Sequence, residues 1–260
     1  MDKVKPILKA LLFGAIMLLF FICSALIAKA LKLSQNNTFI FQGGMMLLST
    51  IVPLFYIGAK KYDASDIGLN KINRTNLKKV LFYIPLIVAL PLLLIYFNKK
   101  VTIESILVQL FFYISVAVAT EVYFRGLIQK EFRGHYNVIV TLLIVSVLYA
   151  VCNMFYFNRI TYMRHIIIFS GASFAIAAIL GMIIESKGSI IFTAIFNVIY
   201  LLLSTNSIRE AKKLILTQGL CLAVLFLYGL FLIITYMKND KKEKIENKET
   251  FNEEGNIELE

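Results

Sequence analysis

Eight apolar runs constrain this chain more than anything else in it: Ile7–Leu31, Phe39–Ala59, Val80–Phe97, Ile106–Ile128, Val138–Phe157, Ile166–Ile184, Ser189–Ser204 and Leu214–Met237. Their lengths approach or match the roughly 17 to 25 residues of helix that cross a bilayer. Lipid offers a crossing backbone no water, so each run must bond its own N–H and C=O groups, and a helix does so internally. Hydrophobic residues make up 59% of the chain and charged residues 17%, against about half and a quarter in soluble domains. The segments between runs leave no length for a soluble core. The expectation is an all-α, polytopic membrane helical bundle of about eight transmembrane helices over residues 1–237.

The chain opens with Lys3, Lys5 and Lys9 before an apolar run, and "AKA" stands at 28–30. Those are signal-peptide features, but the run from Ala10 to Ala28 exceeds the roughly 7 to 15 apolar residues of such peptides. It reads as a first membrane helix. The composition breaks after Met237, where "KNDKKEKIENKETFNEEGNIELE" mixes lysine and glutamate with a single aromatic residue. A segment of that kind buries too little apolar surface to offset its ordering entropy, so 238–260 is expected to be a disordered cytoplasmic tail. The three cysteines, Cys23, Cys152 and Cys221, all fall inside apolar runs. They suggest neither a disulfide framework nor metal-ligand spacing, and read as small buried hydrophobes.

The net charge of +11 need not signal a nucleic-acid partner. With eight spans both termini share one side, and the segments on that side carry twice the Lys and Arg of those on the other. The 60–79 loop supplies much of the excess and is placed to meet anionic headgroups. The positive-inside rule then sets both termini in the cytoplasm. Abundant Lys, Ile and Asn point to an AT-rich, bacterial source. The expected location is a bacterial cell membrane.

Against this background the polar residues inside the runs stand out. Glu121 and Arg125 lie one turn apart in the fourth run and share a helix face. Glu121 is about 18 Å from the cytoplasmic end at 1.5 Å per residue. A buried ionisable group at such depth is a functional-site candidate, or half of an ion pair that fixes helix packing. Asn153 and Asn197 reach comparable depths in the fifth and seventh runs. Thr120, Glu121, Asn153 and Asn197 could therefore meet in one intramembrane cavity. Each asparagine also has a plainer reading, an interhelical hydrogen bond of about 1 kcal/mol. In the sixth run, Gly171, Ala175 and Ala178 have the small-residue spacing of closely packed helices.

The stretch Thr120-Glu121-Val122-Tyr123-Phe124-Arg125-Gly126 resembles the first motif of the Abi domain of the CPBP family, Glu-Glu-x-x-x-Arg with Phe before the Arg and Gly after it. That family includes CAAX proteases, bacteriocin self-immunity proteins and lysostaphin-resistance-like proteins. Tyr149 to Asn153 is similar to the second motif, Phe-x-x-x-His. Asn197 to Leu201, after Gly188-Ser189, is similar to the third, His-x-x-x-Asn. The resemblance spans about residues 100–205 and implies a CAAX-protease-like helical core.

The departures fall on the catalytic positions. In active members the first glutamate activates a water and the histidines help hold the site or a metal. Here those positions are Thr120, Asn153 and Asn197, and the partner asparagine of the third motif is Leu201. Threonine is no base near neutral pH, and an amide is not a zinc ligand of the His, Cys or carboxylate type. The two histidines, His135 and His165, fall in expected loops on opposite sides of the membrane. The resemblance thus implies a vestigial site of Thr120, Glu121, Tyr149, Asn153, Asn197 and Leu201, with Glu121–Arg125 as a structural ion pair and no catalytic residue, metal or cofactor. The function it implies is that of a catalytically inactive partner or regulator of a membrane-anchored cell-wall enzyme, such as a peptidoglycan hydrolase, or of a sensor kinase. An active CAAX-type endopeptidase using Glu121, or a bacteriocin self-immunity protein, are the alternatives.

Overall fold

A computed structural model describes residues 4–69, 103–156, 163–185, 189–206, 219–220 and 223–238. The expected third span, Val80–Phe97, and the tail beyond Lys238 lie outside these. Among the described residues the secondary structure is helical, with no strand. In chain order the helices are α1 Val4–Ala30, α2 Gln35–Ser49, α3 Ile51–Ala59, α4 Ile103–Glu121, a π-helical segment Val122–Gln129, α5 Lys130–Arg133, α6 Val138–Tyr156, α7 Met163–Glu185, α8 Ile190–Asn206 and α9 Ala223–Lys238. Among the described residues, three continuous helices are long and apolar enough to cross a membrane: Val4–Ala30, Gln35–Ala59 and Glu104–Arg133. Shorter apolar helices account for the other described runs. His165, expected in a loop, belongs to the first turn of α7.

α4 and its π continuation form the hub. α2 and α8 pack along α4, α1 packs on α2, α6 and α7 pair as a hairpin, and the π segment touches α1, α3, α6, α7 and α8. Half of the most apolar stretch of Glu104–Arg133 is buried, against a third for α1. The outward faces of α1 carry Leu8, Leu11, Leu12, Leu19 and Leu26, side chains that lipid solvates without cost.

The join between α2 and α3 follows from Pro53. Proline has no N–H to offer the carbonyl four residues back, which here is Ser49. That carbonyl accepts instead from the Tyr123 hydroxyl of the π segment at 2.8 Å. A potential defect in one helix becomes a tether to the hub, as is required where no water can supply the missing donor. Where α3 ends, Lys61 takes a left-handed conformation (φ 53°), and the chain turns back over the end of the bundle. Gly68, at φ 79°, then lays its carbonyl on the Ile190 N–H at 2.9 Å. The preceding Ile67 is buried against Gly126.

The small-residue face of α7 matches the expected one only in part. Ala175 is buried but Gly171 and Ala178 are half-buried, whereas Ser173, Ala177 and Gly181, spaced by four, are all buried. A Cβ on Gly181 would stand 2.4 Å from a Leu142 methyl and 3.2 Å from Gln129 Oε1, so this glycine permits the close approach of α7 to α6 and the hub.

Candidate functional site

Of the polar side chains expected at depth, Thr120 of α4 and Asn197 of α8 meet beside Glu121, and Asn153 of α6 joins them through Tyr149. Glu121, Arg125 and Thr120 are each 1% exposed, and Asn197 is fully buried. Asn197 Nδ2 donates to Thr120 Oγ1 at 3.2 Å, while the Thr120 hydroxyl donates to the Ala117 carbonyl at 3.0 Å. Tyr149 lies beside Glu121, Arg125, Asn153 and Asn197. Its ring packs edge-on against Phe124 with centroids 5.2 Å apart, and the Arg125 guanidinium lies 5.0 Å over it. Asn153 is buried one turn beyond Tyr149. Leu201 is buried one turn beyond Asn197, within the apolar core rather than among the polar groups.

One member of this cluster escaped the sequence reading. The Thr193 hydroxyl donates to Glu121 Oε2 at 2.7 Å, and also lies 2.9 Å from the Ile190 carbonyl. Thr193 precedes Asn197 by four residues, so the two share a face of α8. That spacing was the available signal.

The Glu121–Arg125 contact is loose. Arg125 Nε stands 3.7 Å from Glu121 Oε2, where a direct charge-assisted hydrogen bond measures about 2.7–2.9 Å. The π segment begins at residue 122, and its i→i+5 ladder places residue i+4 differently from an α-helix. Arg125 turns toward α7 instead, and its Nη2 donates to the Ala177 carbonyl at 3.2 Å. Two further rungs repeat this contact at four-residue spacing. Gln129 Nε2 donates to the Gly181 carbonyl at 3.1 Å and to Glu185 Oε1 at 2.8 Å, and Arg133 Nε pairs with Glu185 Oε2 at 2.8 Å. Arg125, Gln129 and Arg133 thus zip the hub to Ala177, Gly181 and Glu185.

A second carboxylate node closes the same end of the bundle. Glu131 accepts from Lys9 at 2.8 Å and from the Tyr56 and Tyr62 hydroxyls at 2.9 Å each. Lys130 pairs with Asp66 in the adjoining loop. Tyr62 lies outside the spans, and burial, then its bond to Glu131, push its hydroxyl up to about 12. The bond from Lys130 holds the Asp66 carboxyl below the usual range.

Among the described residues no group of three His, Cys, Asp or Glu side chains is placed to hold a metal ion. The donor set around Glu121 is one carboxylate with hydroxyls and amides, which does not fit a zinc site. His135 is exposed in the turn before α6, and His165 follows at the start of α7. The 19 residues of α6 separate these positions along the bundle by about 28 Å of helix. No protein-family model matches the chain, and no curated protein matches it.

Proposed function

We propose that this chain is a catalytically inactive, intramembrane-protease-like membrane protein that acts by binding. Its partner would be a membrane-anchored cell-wall enzyme, such as a peptidoglycan hydrolase, or a sensor kinase. The carrying observation is the chemistry gathered at Glu121. The carboxylate accepts from Thr193 and faces the Arg125 guanidinium, and the residues in the motif positions beside it are a threonine and two amides. The motif positions beside it offer neither a second carboxylate nor an imidazole: Thr120, Asn153 and Asn197 can neither take a proton from a water nor ligate a zinc ion. The degenerate CPBP-like motifs supply the same reading from the sequence side, and the charge balance of the loops supports a multi-pass bacterial membrane protein with both termini cytoplasmic.

Two measurements test the proposal. Purified parent and Glu121→Gln proteins, given prenyl-type and membrane-embedded peptide substrates, are expected to show no difference in cleavage. Turnover that depends on Glu121 overturns the inactive reading and establishes an endopeptidase. For the partner, the parent protein co-reconstituted with a membrane-anchored peptidoglycan hydrolase or sensor kinase of the same cell is expected to change that protein's activity at equimolar ratio. An unchanged activity across both partner classes overturns the regulatory reading.

A further inference from the structure

Four buried polar atoms in the cluster have no hydrogen-bond partner among the described residues: Glu121 Oε1, Asn197 Oδ1, Arg125 Nε and Arg125 Nη1. They belong to three side chains, none more than 1% exposed. Buried polar atoms are nearly always satisfied, by protein or by ordered water. Neighbouring side chains are engaged with one another, the Tyr149 hydroxyl with Asn153 and Asn197 and the Asn197 amide with Glu121. Arg125 Nη2 serves the Ala177 carbonyl, Asn197 Nδ2 serves Thr120, and Thr193 serves Glu121 Oε2.

What remains is two acceptors, on Glu121 and Asn197, and two donor nitrogens, on Arg125. An anion there would face the carboxylate, and a bare cation would face the guanidinium. The class that fits is a small neutral molecule that both donates and accepts. Water has two O–H donors and two lone pairs, and the 3.7 Å between Arg125 Nε and Glu121 Oε2 lies in the range where solvent bridges polar groups.

We propose that Glu121, Arg125 and Asn197 build an internal hydration site, in which ordered water joins the guanidinium to the carboxylate and the amide. The pair is then solvent-bridged, and the water is part of what ties α4, the π segment and α8 together. This inference concerns the contents of the site and stands apart from the proposal about a partner.

The test uses the full chain in lipid nanodiscs. An experimental density map that shows ordered solvent is expected to place a water within hydrogen-bond distance of Glu121 Oε1, Asn197 Oδ1 and one Arg125 nitrogen. A direct Arg125–Glu121 bond with no intervening density overturns the proposal, as does density at metal-coordination distance. An independent readout is X-ray hydroxyl-radical footprinting, in which bound water generates the oxidant locally. Tyr149, beneath the guanidinium, is expected to oxidise several-fold faster than Tyr123, which is equally buried but bonded to the Ser49 carbonyl. Equal rates for the two tyrosines overturn the proposal.

Discussion

Glu121 and Glu131 sit ten residues apart on one continuous helix and solve the same problem in opposite ways. Both are buried, at 1% and 9% exposure. Glu131 draws three donors from three segments: Lys9 of α1, Tyr56 of α3 and Tyr62 of the following loop. Glu121 has one hydroxyl, from Thr193, and an arginine at 3.7 Å. The difference follows from position. Lys and Tyr carry an apolar stem and a polar tip, so they gather where a bundle meets headgroups and water. One turn after another toward the bundle centre, such side chains no longer reach, and a charge must rely on the short polar side chains of packed helices. The bundle end is a saturated network; the interior is under-satisfied.

Breaking the interior pair has the largest expected effect. Arg125→Leu leaves a carboxylate without its counter-charge and is expected to cost about 3–5 kcal/mol, whereas the double change Glu121→Leu with Arg125→Leu returns stability near that of the parent. The chain has no Trp; Cys152 is buried, Cys23 is half-buried rather than buried as expected, and Cys221 lies outside the described residues, so with Cys23 and Cys221 changed to Ser a thiol-reactive fluorogenic dye in detergent reports unfolding through Cys152. If Arg125→Leu unfolds at the parent temperature, the pair does not hold the fold.

Removing the one hydroxyl that Thr193 offers Glu121 comes next. Thr193→Val keeps the shape and is expected to cost about 1.5–3 kcal/mol, the range for a hydrogen bond to a charged group, by the same dye assay. Glu131→Gln keeps an acceptor oxygen for two of the three donors and is expected to cost about 1–2 kcal/mol. A larger loss for Glu131→Gln than for Thr193→Val would reverse the ranking of the two sites.

The smallest effects belong to the loop. The folded value of Tyr62, about 12, exceeds the ordinary tyrosine value near 10. Its contribution is therefore whole below pH 10 and is lost as pH rises through about 12. Tyr62→Phe is expected to abolish that alkaline loss in a pH series of unfolding temperatures. Asp66 has a lowered value, so its contribution disappears as pH falls below the ordinary carboxylate range. Asp66 and Lys130 are both partly exposed, and Asp66→Asn is expected to change stability by less than about 0.5 kcal/mol.

Much of this was legible in the linear chain, because lipid imposes a simple rule. Apolar length specifies helices, and the expected runs at 7–31, 39–59, 138–157 and 166–184 correspond to described helices within a few residues. The meeting of Thr120 and Asn197 beside Glu121 was anticipated from depth along each run, whereas Asn153 reaches them through Tyr149. The exceptions have local causes. Thr193 was overlooked because a threonine in an apolar helix is common, and only its spacing from Asn197 marks it. The rungs at Arg125, Gln129 and Arg133 share a four-residue period that is visible in sequence, but their acceptors on Ala177 and Gly181 are backbone carbonyls, which no residue type announces. Small residues at 171, 175 and 178 were as plausible a contact face as 173, 177 and 181 until the rotation of α7 was known.

The amino-acid sequence by itself determined that the chain folds as apolar helices and that a few polar residues are confined among them, because the cost of exposing backbone or charge to lipid depends only on residue type and run length. The tertiary structure alone decided which oxygen and nitrogen atoms meet. The π segment that loosens the Glu121–Arg125 pair, the Tyr123 hydroxyl that answers Pro53, and the convergence of Lys9, Tyr56 and Tyr62 on Glu131 depend on helix rotation and register. Those are set by the packing of many side chains at once, and no short stretch of sequence encodes them.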